Sequence, residues 1–221
     1  MITVHHLENS RSLRVLWLLE ELGLPYEIIH YKRDPVTMLA PESLREIHPL
    51  GKAPILQDDD RVVAESGAIL EYLLDHYDQG RFRPEPGAPG REAYQYWLHY
   101  AEGSLMPLLV MKLVFSRVPQ SPMPFFIRPV ARKISQGLNQ GFLDPRLSDH
   151  LGFVERHLGE HVWFAGDEFS AADIQMSFPL QAALARAPGN MPNIRAFIER
   201  LENRPAYRKA EERGGSLKPL G

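Results

Sequence analysis

Two short stretches, Gly51-Lys52-Ala53-Pro54-Ile55-Leu56 and Ala64-Glu65-Ser66-Gly67-Ala68-Ile69-Leu70-Glu71-Tyr72-Leu73, decide how this chain of 221 residues folds. The first reads as a loop running into a strand. The second reads as the end of another strand, a polar pair and the start of a helix. Ser66 is a favourable N-cap, so the backbone amides after it have no partner inside the helix. Unpaired amides at the positive end of a helix attract a carboxylate. Upstream, Ala53-Pro54 can present backbone to an extended peptide. Together the two stretches describe a pocket for a small acidic peptide.

Working towards the N-terminus, Ile2 to His6 reads as a strand and Ser10 to Leu22 as a helix, with Leu13, Leu16 and Trp17 at helical spacing. Gly23 ends that helix and Pro25 prevents its return. Tyr26 to Tyr31 is rich in strand formers, so a β-α-β unit with parallel strands opens the protein. A short helix is expected around Pro41 to Ile47. Ala53 to Leu56 and Arg61 to Ala64 read as a hairpin whose turn is Asp58-Asp59-Asp60, and Ser66 to Tyr77 as the next helix. Residues 82–90 hold Pro84, Pro86, Gly87, Pro89 and Gly90, a linker composition. Beyond them no strand series appears. Helices are expected over Arg91 to Phe115 with a kink at Pro107, Val130 to Leu158, Ser170 to Arg186, Asn190 to Glu202 and Pro205 to Glu212.

The composition, 44% hydrophobic and 24% charged, is that of an ordinary soluble globular protein. A formal net charge of −3 gives no attraction for nucleic acid or an anionic membrane. There is no cysteine, hence no disulfide framework, thiolate metal site or catalytic protein thiol. Any thiol chemistry must use a sulfur brought by a ligand. Residues 1–12 do not resemble a signal peptide, and Leu105 to Phe115 is too short to span a bilayer and contains Pro107 and Lys112. A cytoplasmic protein is expected.

With Ser10-Arg11-Ser12-Leu13-Arg14-Val15-Leu16, the two opening stretches resemble the glutathione-binding half of a cytosolic glutathione S-transferase. Arg14-Val15-Leu16-Trp17-Leu18-Leu19-Glu20-Glu21 is most similar to the bacterial and fungal serine-type branches. The capping box and staple Phe169-Ser170-Ala171-Ala172-Asp173-Ile174, which the family also carries, extends the resemblance to the second half. The resemblance implies an α/β thioredoxin-like domain over residues 1–81, a linker at 82–90 and an all-α domain over 91–221 carrying the second-substrate site. It implies a homodimeric transferase that holds glutathione as a thiolate for attack on a small hydrophobic electrophile. A transferase-like ligand-binding protein without turnover and a glutathione-dependent peroxidase are the alternatives.

The resemblance also assigns residues. Ser10, four before Arg14, would donate its hydroxyl to the thiolate, with Asn9 and Ser12 as alternates. Such a charge-assisted bond is worth ~1.5–3 kcal/mol, a drop of roughly one to two units from the ordinary thiol pKa. Pro54 would be cis, and Ala53 would pair by backbone with the cysteine portion of glutathione. Ser66 and the amides after it would take the γ-glutamyl carboxylate, Glu65 would face its ammonium, and Lys52 the glycine carboxylate. Leu7, Tyr94, Trp97, Tyr100, Met106 and Met111 are expected as walls of the second-substrate site, where the loop after the first strand meets the long helix. No metal is expected: in His157-Leu158-Gly159-Glu160-His161 a glycine interrupts a motif that needs a stable helix.

Overall fold

The structure, a computed structural model, describes residues 1–187 and 189–217, so Pro188 and residues 218–221 of the expected helical domain lie outside it. The first part contains β1 (Ile2–Leu7), α1 (Ser12–Leu22), β2 (Tyr26–Tyr31), α2 (Leu44–Ile47), β3 (Ile55–Asp58), β4 (Arg61–Ala64) and α3 (Ser66–Tyr77). The sheet order is β2-β1-β3-β4. β1 and β2 run parallel from Ile2↔Tyr26 to Leu7↔Tyr31, while β3 is antiparallel to both β1 and β4. This is a thioredoxin-like arrangement. Every residue from Ser12 to Leu19 is buried. A helix apolar on all sides must be covered on all sides, and α1 touches β1, α3, α8 and α10. Gly23, with φ 70°, closes it in the left-handed region, its N–H donating to Glu20 O at 3.2 Å.

Several boundaries differ from the sequence expectations. α1 starts at Ser12, not Ser10, because Ser10 is bonded into the turn before it. β3 starts at Ile55, after Pro54, which has no N–H for a ladder. Asp58 belongs to the strand, leaving the turn to Asp59 and Asp60; its carboxylate accepts from the hydroxyls of Tyr72 (2.9 Å) and Tyr77. α2 is one turn shorter than its sequence range.

The second part is helical: α4 (Arg91–Tyr100), α5 (Met106–Arg117), α6 (Arg128–Leu138), α7 (Asp144–Glu160), α8 (Ala171–Arg186), α9 (Pro192–Glu202) and α10 (Pro205–Gly214). The single helices expected over 91–115 and 130–158 are each divided by a π turn, at Ala101–Leu105 and Asn139–Leu143. The cause is local. A proline ring clashes with the carbonyl four residues back, and Pro107 and Pro145 each put that carbonyl on a glycine, Gly103 and Gly141, inside the π turn. Widening the turn removes the clash without ending the helix.

The capping box of α8 is present: Ser170 N–H donates to Asp173 Oδ2 at 2.8 Å. Asp173 also accepts from Phe164 N–H at 2.9 Å, joining the preceding loop to the helix. Burial pushes its carboxyl up to about 7 against the pull of these donors. Ala171 N–H donates to Phe82 O at 2.9 Å, so the segment after α3 is tied to the start of α8. α10 folds back onto α1. Arg204 forks onto Glu21 at 2.6 and 2.9 Å, Arg213 reaches Glu20 at 3.1 Å, and Trp17 meets Tyr207 edge-on at 5.0 Å.

Candidate functional site

A cavity of 230 Å³ opens where the loop before β3, the β4–α3 junction and the start of α1 face the π turn after α4. Lys52, Ala53 and Pro54 line it from the loop, Ala64, Glu65 and Ser66 from the junction, Arg11 from the N-cap of α1 and Glu102 from the π turn, together with His48 and Leu50. The peptide bond between Ala53 and Pro54 is cis. Ile55 is the first residue in register with β1 and β4, so Ala53 stands outside the ladder. Lys52 is exposed and enters no ion pair among the described residues.

At the junction Glu65, not Ser66, occupies the N-cap position, with φ 73° and ψ 124°. That backbone is costly for a residue with a side chain and is a frequent feature of ligand sites. It turns the chain sharply enough for Ser66 to become the first helical residue. The first internal bond of α3 runs from Ile69 N–H to Glu65 O at 2.9 Å, so the amides of Ser66, Gly67 and Ala68 lie before the ladder begins. The cavity thus combines open amides, an exposed ammonium and an exposed carboxylate.

The centre of the arrangement is Arg14, 2% exposed. One guanidinium nitrogen donates to Ser66 Oγ at 3.0 Å and to Glu102 Oε1 at 2.6 Å; the other donates to Gln175 O. Because Ser66 Oγ accepts from Arg14, its own proton is free to donate into the cavity. Arg11 adds Nε bonds to both Glu102 oxygens at 2.9 and 3.0 Å. Burial pushes Arg14 down to about 10 against the pull of Glu102, so it remains a cation at neutral pH. Burial raises Glu102, but Arg14 and Arg11 outweigh it and hold the carboxyl below its ordinary range. In the sequence reading Arg11 and Arg14 served only to mark the first helix, and neither they nor Glu102 were assigned a site role. A charged residue inside the apolar run Ser12–Leu19 was a signal, since buried charges require partners. Glu102, between Ala101 and Gly103, carried none.

Ser10 is 6% exposed and does not itself line this cavity, although the next residue, Arg11, does. Its hydroxyl is 2.8 Å from Leu7 O and 2.7 Å from Ser12 Oγ, so its proton is held inward. Its sequence neighbours face different spaces: Arg11 lines the first cavity, and Asn9, with φ 51°, lines a second of 310 Å³. This second cavity is walled by Phe178, Ala182 and Ala185 of α8, Ile198 of α9 and Leu217, with Gln181, Arg186 and Glu202 at its polar parts. Phe178 also packs beneath Arg11 and Arg14, at 5.2 and 5.4 Å.

The residues expected as the second-substrate wall lie inside the fold. Leu7, Tyr94, Trp97, Tyr100 and Met106 are each 7% exposed or less and belong to the packed core, and Met111 packs against it. Tyr94, Trp97 and Tyr100 recur at helical spacing on α4, which packs on α8. His157 and His161 each lie 3.2 Å from a backbone carbonyl, those of Phe164 and His157. Among the described residues no group of three or more acidic or histidine side chains could hold a metal, and no helix is long and apolar enough to cross a membrane.

Residues 1–75 match the glutathione S-transferase N-terminal domain family, and residues 141–205 the C-terminal domain family. Glutathione S-transferase 1 of Saccharomyces cerevisiae is 37% identical over 98% of this chain and 97% of its own. Glutathione S-transferase 3 of Schizosaccharomyces pombe is 39% identical over 96% and 88%. The crystal structure of a glutathione S-transferase from Actinobacillus pleuropneumoniae, 36% identical, covers 99% of this chain and 95% of that one with a TM-score of 0.82. Matched in both halves, and over nearly its full length by relatives sharing more than a third of its residues, the chain belongs to the glutathione S-transferase family.

Proposed function

We propose that the 230 Å³ cavity binds glutathione and that Ser10 stabilises its thiolate for attack on a hydrophobic electrophile, as in a serine-type transferase. The observation that carries this is the convergence of an ammonium, a carboxylate and open helix amides on one small cleft. Glutathione carries two carboxylates and one ammonium at opposite ends of an extended tripeptide. The γ-glutamyl carboxylate suits Ser66 and the first amides of α3, its ammonium suits Glu65, and the glycine carboxylate suits Lys52. Ala53 pairs with the central residue through its backbone. The sulfur then lies towards Ser10, which must turn its proton from Leu7 O to the thiolate. Asn9 and Ser12 are the alternates for that donor.

The electrophile fits the 310 Å³ cavity beside Asn9, whose apolar wall suits a hydrophobic molecule. Residues 1–81 thus serve glutathione, 82–90 connect, and 91–221 serve the second substrate. Holding the two reactants together contributes more to the rate than activation alone. A homodimer is supported by exposed apolar side chains on β4, α5 and α6, including Val62 (44%), Val114 (53%) and Ile134 (57%); light scattering of the pure protein tests it. Family membership supports a cytoplasmic location.

The test is retention on immobilised glutathione, together with thiolate absorbance against pH, for the wild type and Ser10→Ala. The expected result is a ~10- to 100-fold loss of conjugation with binding kept, which follows from one charge-assisted hydrogen bond. The inward proton of Ser10 favours one competing reading, a glutathione carrier without turnover. Retention without thiolate at neutral pH would establish that reading instead.

A further inference from the structure

His6, Ser12 and Ser10, just before the cavity-lining Arg11, form a buried hydrogen-bonded file at 2%, 0% and 6% exposure. Ser10 Oγ is 2.7 Å from Ser12 Oγ, Ser12 Oγ is 2.8 Å from His6 Nδ1, and His6 Nε2 is 2.7 Å from Gly214 O at the end of α10. The donors can be assigned from the far end. A carbonyl only accepts, so His6 Nε2 carries a proton. In the neutral ring Nδ1 is then an acceptor, and Ser12 must donate to it. Ser12 has one proton, so its remaining lone pair faces Ser10. Ser10 in turn accepts from Ser12 N–H at 3.2 Å and donates inward, to Ser12 or to Leu7 O. The Leu7 carbonyl, 2.8 Å from Ser10 Oγ and 3.2 Å from Ser12 Oγ, competes for both hydroxyl protons; with Ser10 turned to Ser12, both hydroxyl protons point towards the imidazole.

We infer that His6 is the acceptor of the glutathione thiol proton, reached through Ser10 and Ser12. The inference rests on the reading that places the thiol beside Ser10. The S–H bond breaks as Ser10 Oγ gains that proton. Ser10 passes its own proton to Ser12 Oγ, and Ser12 passes its proton to His6 Nδ1. The products are a thiolate, two neutral hydroxyls and an imidazolium. In this product state the file is reversed: His6 donates to Ser12, Ser12 to Ser10, and Ser10 outward to the sulfur. The same transfer that removes the proton therefore creates the outward Ser10 donor, in place of the inward bonds to Leu7 O and Ser12 Oγ. His6 and Ser12 touch no substrate; they are positioning residues.

The surroundings suit a ring that begins neutral. Burial disfavours the cation, as does His30 of β2, whose ring meets His6 edge-on at 5.6 Å; the Gly214 carbonyl from α10 and Glu8 beyond β1 act the other way. α1 presents to it only the Ser12 hydroxyl as a polar partner.

The test compares wild type, His6→Gln, Ser12→Ala and Ser10→Ala by thiolate absorbance against pH, glutathione affinity and conjugation rate. His6→Gln and Ser12→Ala are each expected to raise the bound thiol pKa by about one unit and to slow conjugation at neutral pH ~10-fold, with affinity within about two-fold of wild type. The rate deficit should close at alkaline pH, where solvent removes the proton. In 15N-histidine-labelled wild type, glutathione should shift the His6 Nδ1 signal to the protonated position. Thiolate formation with His6 still neutral, or an unchanged pH profile in Ser12→Ala, overturns the relay. Should His6→Gln not fold, Ser12→Ala, which removes one oxygen, carries the test. The two readings separate at Ser10→Ala: no effect there refutes the placement of the thiol, whereas an effect at Ser10 without one at Ser12 refutes only the relay.

Discussion

Replacing Glu102 by alanine tests the ion pair that joins the two parts of the protein. In the wild type Arg14 is 2% exposed and Glu102 is its carboxylate partner at 2.6 Å. Glu102→Ala leaves Arg14 with Ser66 Oγ and the Gln175 carbonyl, neither of which carries a charge. Breaking a buried pair from one side costs ~3–5 kcal/mol because the remaining ion is uncompensated. Glu102 is 31% exposed, so water shares its charge, and the lower end, about 3 kcal/mol, applies. For a chain of this size that is a fall in Tm of roughly 6–12 °C. Scanning calorimetry reads it. A second variant, Arg14→Met with Glu102→Ala, removes both charges and should melt above Glu102→Ala alone, since the penalty lies in the stranded guanidinium. The pH dependence follows from Glu102 being held below its ordinary 4.5. The advantage of wild type over Glu102→Ala is full above that value and is lost as pH falls through the lowered native one. A Glu102→Ala melting point within about 1 °C of wild type, or a double variant less stable than Glu102→Ala, would refute the reasoning.

Ser66→Ala removes a hydroxyl proton directed into the cavity, and glutathione affinity by calorimetric titration should weaken by roughly ten-fold or more. Lys52→Ala removes an exposed ammonium; the loss should be only about two- to five-fold and should shrink as salt is added. At Gly214 a Cβ would stand 2.5 Å from Leu16 Cδ1 and 3.1 Å from His6 Cε1. Gly214→Ala should therefore lower stability by ~1–3 kcal/mol in urea unfolding.

The first seventy-seven residues were legible because their signals are local. Gly23 and Pro25 punctuate α1, strand formers mark β2, and Lys52, Ala53, Pro54, Glu65 and Ser66 fall on two adjoining loops that β3 and β4 draw into one cleft. What was missed depends on distant partners. Arg14 and Glu102 are eighty-eight positions apart, and only the packed fold brings them to one bond. Helical spacing could mark Tyr94, Trp97, Tyr100 and Met106 as inward-facing, but it does not distinguish a filled interior from a cavity wall. The placement of Ser66 as a cap failed for a backbone reason: Glu65 takes a φ of 73°, which glycine-free sequence does not announce. The His6 file escaped because its last member, Gly214, is 208 residues away.

A chain is made in one direction, and Gly214 lies more than a hundred residues beyond Glu102. The residues of the cleft, up to Glu102, are synthesised first, whereas the carbonyl that accepts from His6 Nε2 follows more than a hundred residues later. A nascent chain thus holds every residue of the cleft before it holds the carbonyl partner at the far end of the Ser10–Ser12–His6 file. On the proposed relay, a chain cut short before residue 214 would keep the residues of the cleft and lose the contact that fixes the tautomer of His6.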